Sequence, residues 1–137
     1  MELSLKNRNA IVCGSTQGIG EASAIELANL GANVTLIARN ESKLLDVLND
    51  LDTIKGQTHS FIAIDFRDSE KLKEEVNLLK SNYHILVNNT GGPAAGPIAD
   101  ADTNAFEEAF RMHLINNQIL VQKVVEGMKQ EGYGRIV

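Results

Sequence analysis

Three glycines and two short polar runs are where this sequence could do chemistry. Gly14, Gly18 and Gly20 fall in the stretch Gly14-Ser15-Thr16-Gln17-Gly18-Ile19-Gly20, after the apolar run Ala10-Ile11-Val12-Cys13 and before a segment of helical period. A strand that turns tightly into a helix needs φ values that only glycine adopts freely, and it exposes the N–H groups of the first helical turn. With no Cβ in the way an anion can approach that backbone, where the positive end of the helix dipole holds it. The expected chemistry is the binding of a pyrophosphate, as in a dinucleotide.

The second apolar run ends in Ala38-Arg39-Asn40, about twenty residues past the glycine turn. A site that takes NAD carries a carboxylate there for the ribose 2′-OH, whereas the Arg39 guanidinium matches a 2′-phosphate in charge and fork geometry. The expected cofactor is NADP(H), with NAD(H) the alternative. A merely solvated Arg39, or one paired with Glu41, stays open. Further on, the amides of Asn88-Asn89-Thr90-Gly91 can tie neighbouring strands together while Gly91 lets backbone approach a ribose. Gly92-Pro93-Ala94-Ala95-Gly96-Pro97 reads as a stiff loop of small residues, functional or a plain connector.

These residues need a frame. Strand-length apolar runs near 10–13, 33–38, 60–64, 85–88 and 134–137 alternate with segments of helical period, the mark of βαβ units and a parallel sheet. In the first helix Ala22, Ile25, Ala28 and Leu30 are expected to face that sheet, with Gly31 ending it. Asn40 caps the second helix, with Leu44, Val47, Leu48 and Leu51 inward, and Asp68 or Ser69 caps a third carrying Leu72, Val76 and Leu79. The longest helix runs from Thr103 to about Glu131. Its apolar face, from Phe106 and Phe110 to Val124 and Met128, is wider than one sheet contact needs. Burial in its own domain and contact with a partner subunit are both open.

With 137 residues, 43% of them hydrophobic, the chain is expected to form one domain, 1–137. Its net charge of -5 disfavours nucleic acid as a partner. No apolar run approaches the roughly 18 residues of a membrane span, so no membrane partner is expected. The single Cys13 fits a reducing, cytoplasmic setting and reads as a small core residue rather than a reactive thiol. His59 and His84 stand apart from other ligand types, so no metal site is expected.

The spacing Gly-xxx-Gly-x-Gly, Asp65 after the third run, Asn88-Asn89-Thr90-Gly91 after the fourth and Gly134-Arg135-Ile136-Val137 as the fifth resemble, in order and spacing, the N-terminal half of the short-chain dehydrogenase/reductase family. The 3-oxoacyl-(acyl carrier protein) reductase-like members are the nearest match within it. The resemblance implies a Rossmann-type doubly wound α/β sheet of five parallel strands, order 3-2-1-4-5, with helices on both faces and the domain incomplete at its C-terminal end. It places Gly14 to Gly20, Arg39, Asn40, Asp65, Phe66, Asn89, Thr90 and Gly91 at the cofactor. Asp65 would accept from the adenine amino group, unless it is only a turn-forming carboxylate. Thr90, where the family has Ala, is expected to crowd the site.

The family's chemistry uses a Tyr-xxx-Lys pair, a Ser and a helix Asn to move a proton at a carbonyl. Tyr83 and Tyr133 are followed four places on by Val87 and Val137, so neither begins that motif. The resemblance puts the Ser and Tyr-xxx-Lys beyond Val137, so the chain is expected to be inactive alone, its fifth strand an open edge prone to self-association. At the helix-Asn position stands His113, able to exchange hydrogen bonds as Asn does or simply to pack locally. Asn116, one turn on, is expected to point the same way. The functions implied are an NADP(H)-dependent oxidoreductase on a small-molecule carbonyl or secondary alcohol, or a non-catalytic NADP(H)-binding or sensing module. A homo-oligomer through the 103–131 helix is expected.

Overall fold

In a computed structural model describing residues 3–92 and 95–137, the five apolar runs become β1 (Asn9–Cys13), β2 (Asn33–Ala38), β3 (Ser60–Ala63), β4 (Ile85–Val87) and β5 (Arg135–Ile136). All pair in parallel, in the order β3-β2-β1-β4-β5. The chain moves outward from β1 to β2 and β3, then crosses back to β4. Connections therefore diverge at the C-terminal ends of β1 and β4, which opens a crevice there. Pro93 and Ala94 of the loop after β4 lie outside the described residues.

Successive strand side chains point to opposite faces, so each strand serves two cores. Val12, Val34 and Leu36 pack with Ala24 and Ala28 of α1 (Gly18–Asn29) and with Leu44 and Val47 of α2 (Glu41–Asp50). On the other face Ile11, Cys13, Ile37 and Leu86 meet Leu72 and Val76 of α3 (Ser69–Leu78) and Leu120 and Val124 of α5 (Asn116–Gln130). Burial on both faces is why the strands read as unbroken apolar runs. The caps form as expected: Asn40 accepts from the Lys43 N–H and Asp68 from the Lys71 N–H. His59 and His84 serve strand starts, each accepting at Nδ1 a backbone N–H, of Val34 and Asn9, and the Nε2 of His84 lies on Glu131.

Two expectations need correction. Ala22 is exposed and Leu30 only half buried; Ala28 is buried as expected, but its buried companions are Gly20 and Ala24, a four-residue repeat of small residues that brings the helix close to the sheet. The long helix is also not uniform. It consists of α4 (Thr103–Phe110), a π-helical turn at Arg111–Ile115, and α5. A π turn takes an extra residue and so rotates the face that follows it. The wide apolar stripe is thereby split: Leu120, Val124 and Met128 are buried in the chain's own core, whereas Phe106, Phe110 and Leu114 are more than half exposed.

Asn116 begins α5 and is fully buried. Its Nδ2 donates to the Phe66 carbonyl at 2.5 Å and its Oδ1 accepts from the Ser69 Oγ at 2.6 Å, so one amide fixes the start of α5 against the segment between β3 and α3. Removing it strands a buried carbonyl and a buried hydroxyl. Asn116→Ala is expected to cost about 3 kcal/mol of stability in urea unfolding at unchanged m value. A loss below about 1 kcal/mol would show that water replaces the amide at little cost.

Candidate functional site

A cleft of about 680 Å3 opens at the C-terminal ends of the strands, within the size range of small-molecule sites. The β1–α1 turn supplies Gly14, Thr16, Gln17, Gly18 and Ile19 to its wall, the end of β2 supplies Arg39 and Asn40, the first turn of α2 supplies Lys43, and the segment after β3 supplies Asp65, Phe66 and Arg67. Asn89, Thr90, Gly91 and Gly92 follow β4, and Ala105, Glu108, Ala109 and Met112 complete the lining.

The three glycines have different tasks. A Cβ on Gly14 would lie 2.3 Å from the Asn89 carbonyl oxygen, and one on Gly20 would lie 2.2 Å from the Gly14 oxygen. Those two permit packing. Gly18, with φ +59, has nothing within 4 Å of where a Cβ would stand, so it leaves room in the cleft itself. Asn89 braces the turn, its Nδ2 donating to the Cys13 and Gly14 carbonyls at 3.3 Å each. Ser15 departs from its expected place: it is fully buried, its Oγ donating to the Ile37 carbonyl at 3.5 Å, and its side chain fastens the turn to β2 instead of walling the cleft. Gln17, the residue before α1, makes no side-chain cap, so the first-turn N–H groups stay available beside Gly18. Ile19, at 76% exposure, lies bare at the same place. Uncapped donors with open space in front fit a phosphate.

Charge is arranged unevenly around the cleft. Among the described residues neither Glu41 nor any other carboxylate pairs with Arg39. Lys43, missed in the sequence reading, joins it on the wall from the first turn of α2. Arg67 was also missed. Its guanidinium grips Asp65, holding that carboxyl down at about 2. Nothing in the sequence marks Arg67 apart from its place two residues after Asp65. Burial pushes the Cys13 thiol up to about 12, so it stays protonated and is no nucleophile.

On the β4 side, the Thr90 Oγ1 and His113 Nδ1 are 2.9 Å apart. Thr90 lines the cleft while His113, half buried in the π turn, stands behind it. Thr90 is thus tied back by the residue expected at the helix-Asn position. Asn116 does not share that direction: the π turn between them breaks the helical alignment, and both ends of its amide are already engaged in the core. It cannot stand in for His113.

A model of the short chain dehydrogenase family matches residues 8–137. The chain belongs to the short-chain dehydrogenase family. Among its curated relatives are mouse 3-ketodihydrosphingosine reductase, 28% identical over 98% of this chain and 43% of the relative, and a human protein named inactive hydroxysteroid dehydrogenase-like protein 1, 34% identical over 95% and 41%. Among solved structures, L-sorbose reductase from Gluconobacter frateurii, complexed with NADPH and L-sorbose, superposes at TM-score 0.87 with 27% identity, covering 99% of this chain and 53% of that one. This short-chain dehydrogenase chain thus spans about half the length of the proteins it matches.

The glycine roles can be separated by substitution. Gly18→Ala, strained by its φ alone, is expected to cost about 1 kcal/mol, and Gly20→Ala, which drives a methyl into backbone, about 3 kcal/mol, read from thermal melts. Equal losses would contradict the division. For Asp65, whose folded pKa is lowered from 3.8 to about 2, the stabilising pair is complete above pH 3.8 and lost as pH falls toward 2. The stability gap between wild type and Asp65→Asn should therefore be constant above that window and shrink within it; a gap independent of pH down to 2 would show that the ion pair is not formed in solution.

Proposed function

We propose that this chain binds NADP(H) and supplies the cofactor-binding part of an oxidoreductase acting on a small-molecule carbonyl or secondary alcohol. One observation carries the reading: the uncapped start of α1, with the open space at Gly18, lies in the same cleft as Arg39 and Lys43, for which no carboxylate partner exists among the described residues. The L-sorbose reductase that superposes on the chain is described with NADPH, which supports this cofactor. In this assignment Gly14, Thr16, Gln17, Gly18, Ile19 and Gly20 form the pyrophosphate turn, with Ser15 behind it. Arg39 and Lys43 take the 2′-phosphate, helped by Asn40, whose cap orients the helix bearing Lys43. Asn89 holds the turn, and Gly91 leaves room for a ribose beyond β4. The bound nicotinamide would supply or accept the hydride. The protein's part on the β4 side is the Thr90 hydroxyl, held by His113, which can orient a polar group at the cleft wall.

The exposed Phe106, Phe110 and Leu114 are the surface assigned to a second subunit. A cytoplasmic setting belongs to the same proposal; among the described residues no helix is long and apolar enough to cross a membrane. A second reading, NADP(H) binding without turnover, is favoured by His113 standing behind Thr90 and not on the cleft wall.

Fluorescence titration tests the binding claim. NADPH is expected to bind at least about tenfold more tightly than NADH, and Arg39→Ala to remove most of that difference while sparing NADH affinity. Tighter NADH binding, with a ratio that Arg39→Ala leaves unchanged, would refute it. NADPH oxidation by a full-length protein carrying this chain, offered a panel of ketones and 3-oxoacyl thioesters, separates the two readings: turnover supports the oxidoreductase, and binding without turnover the module.

A further inference from the structure

A second cavity opens at the other end of the sheet from the dinucleotide cleft, where β1, β2 and β3 begin. Its volume is about 310 Å3, at the small end of small-molecule sites, and no Asp, Glu, Lys or Arg lines it among the described residues. Asn9, Asn33 and His59 frame it, and their polar groups are already engaged by the fold. Asn33 donates from Nδ2 to the Asn9 Oδ1 and accepts the Thr58 N–H at Oδ1, both at 2.8 Å. Asn9 in turn donates to the Asn82 carbonyl at 2.8 Å. His59 accepts the Val34 N–H at Nδ1, 3.1 Å away, and donates from Nε2 to the Asp52 carbonyl at 2.9 Å. A wall tied in this way is ordered before any ligand arrives.

Hydroxyls supply the rest of the lining. Thr35 stands on an interior strand between its partners Ile11 of β1 and Ser60 of β3, on the sheet face where Ile11 and Ile37 belong to the core. Thr35 and Tyr83 are only 5% and 6% exposed, yet both line the cavity. The Thr35 Oγ1 lies 3.0 Å from the Ser60 Oγ and 3.1 Å from the Tyr83 hydroxyl oxygen, so the three oxygens form a chain. Three hydroxyls hold three protons but make only two bonds among themselves. One O–H is therefore left at one end of the chain and an acceptor lone pair at the other, and the ends exchange roles when the chain reverses. Burial pushes the Tyr83 phenol up, which keeps its proton in place and the chain neutral. Thr58 and Ser81 add two more hydroxyls on the exposed side.

We propose that this cavity is a second small-molecule site, for a neutral polyhydroxylated ligand of monosaccharide or cyclitol size whose hydroxyls join the Ser60–Thr35–Tyr83 chain. An alcohol donates at one end and accepts at the other as the chain requires, whereas a phosphate or carboxylate finds no cation to pair with. The site is separate from the dinucleotide cleft and does not depend on what that cleft binds.

Nuclear magnetic resonance titration of the isotope-labelled chain with myo-inositol and with glucose tests this. At least one of the two is expected to give saturable shifts at the Thr35, Ser60 and Tyr83 backbone signals with a Kd of about 1 mM, while Gly18 and Arg39 stay in place. Thr35→Val, which keeps the shape but removes the middle hydroxyl, is expected to weaken binding about tenfold, and Tyr83→Phe to weaken it similarly. Circular dichroism melts report folding; Tyr83→Phe removes only a terminal oxygen and carries the test if Thr35→Val does not fold. If neither compound gives saturable shifts at these signals, the cavity holds water alone and the proposal fails. It fails equally if the folded variants bind as tightly as wild type, or if inorganic phosphate shifts the same three signals at lower concentration than either compound.

Discussion

Asn89 touches the glycine turn at a distance no side chain at position 14 or 20 would survive, and most of the architecture around the cleft follows from that approach. Its amide donates to two successive carbonyls of the turn, at Cys13 and Gly14, and its own backbone lies where a Gly14 Cβ would stand. The contact joins the ends of β1 and β4, the two strands between which the connections diverge. With Gly20 pressed on the Gly14 oxygen, α1 starts close to the sheet, and Ala24 and Ala28 continue that close seating one and two turns later. The dipole of α1 is therefore directed at the crevice, and its first N–H groups are left for a ligand.

A second constraint acts on the opposite face. Asn116 binds α5 to the Phe66 carbonyl and to Ser69, so the helix cannot rotate to bury its N-terminal half as well. The π turn absorbs the difference in phase between α4 and α5. Turns of this kind recur at functional sites because they displace a side chain from the regular helical lattice. In this chain the displaced region contains His113, whose Nδ1 bonds the Thr90 hydroxyl.

Electrostatics shows the same priority of local over bulk arrangement. The chain carries a net charge of -5, yet Arg39 after β2 and Lys43 in the first turn of α2 line one cleft with no carboxylate within ion-pair distance among the described residues. Screening over about 8 Å in physiological salt makes such a rim, and not the overall charge, decide what anion approaches.

Periodicity made the sheet, its parallel character and the order of elements legible, because strands covered on both faces must be apolar throughout and helices between them must carry a stripe. The glycine turn was legible for a related reason: short-range backbone geometry restricts the residue at Gly14 and Gly18 whatever surrounds them. Arg39 could be placed by its distance from that turn. Long-range contacts could not be read this way. Which glycine makes room for packing and which for a ligand, that Ser15 points down at β2, and that Asn116 belongs to the core and His113 to Thr90 all depend on partners 22 to 75 residues away in the chain. A sequence states which side chains can bond, but only the folded packing decides which of them meet.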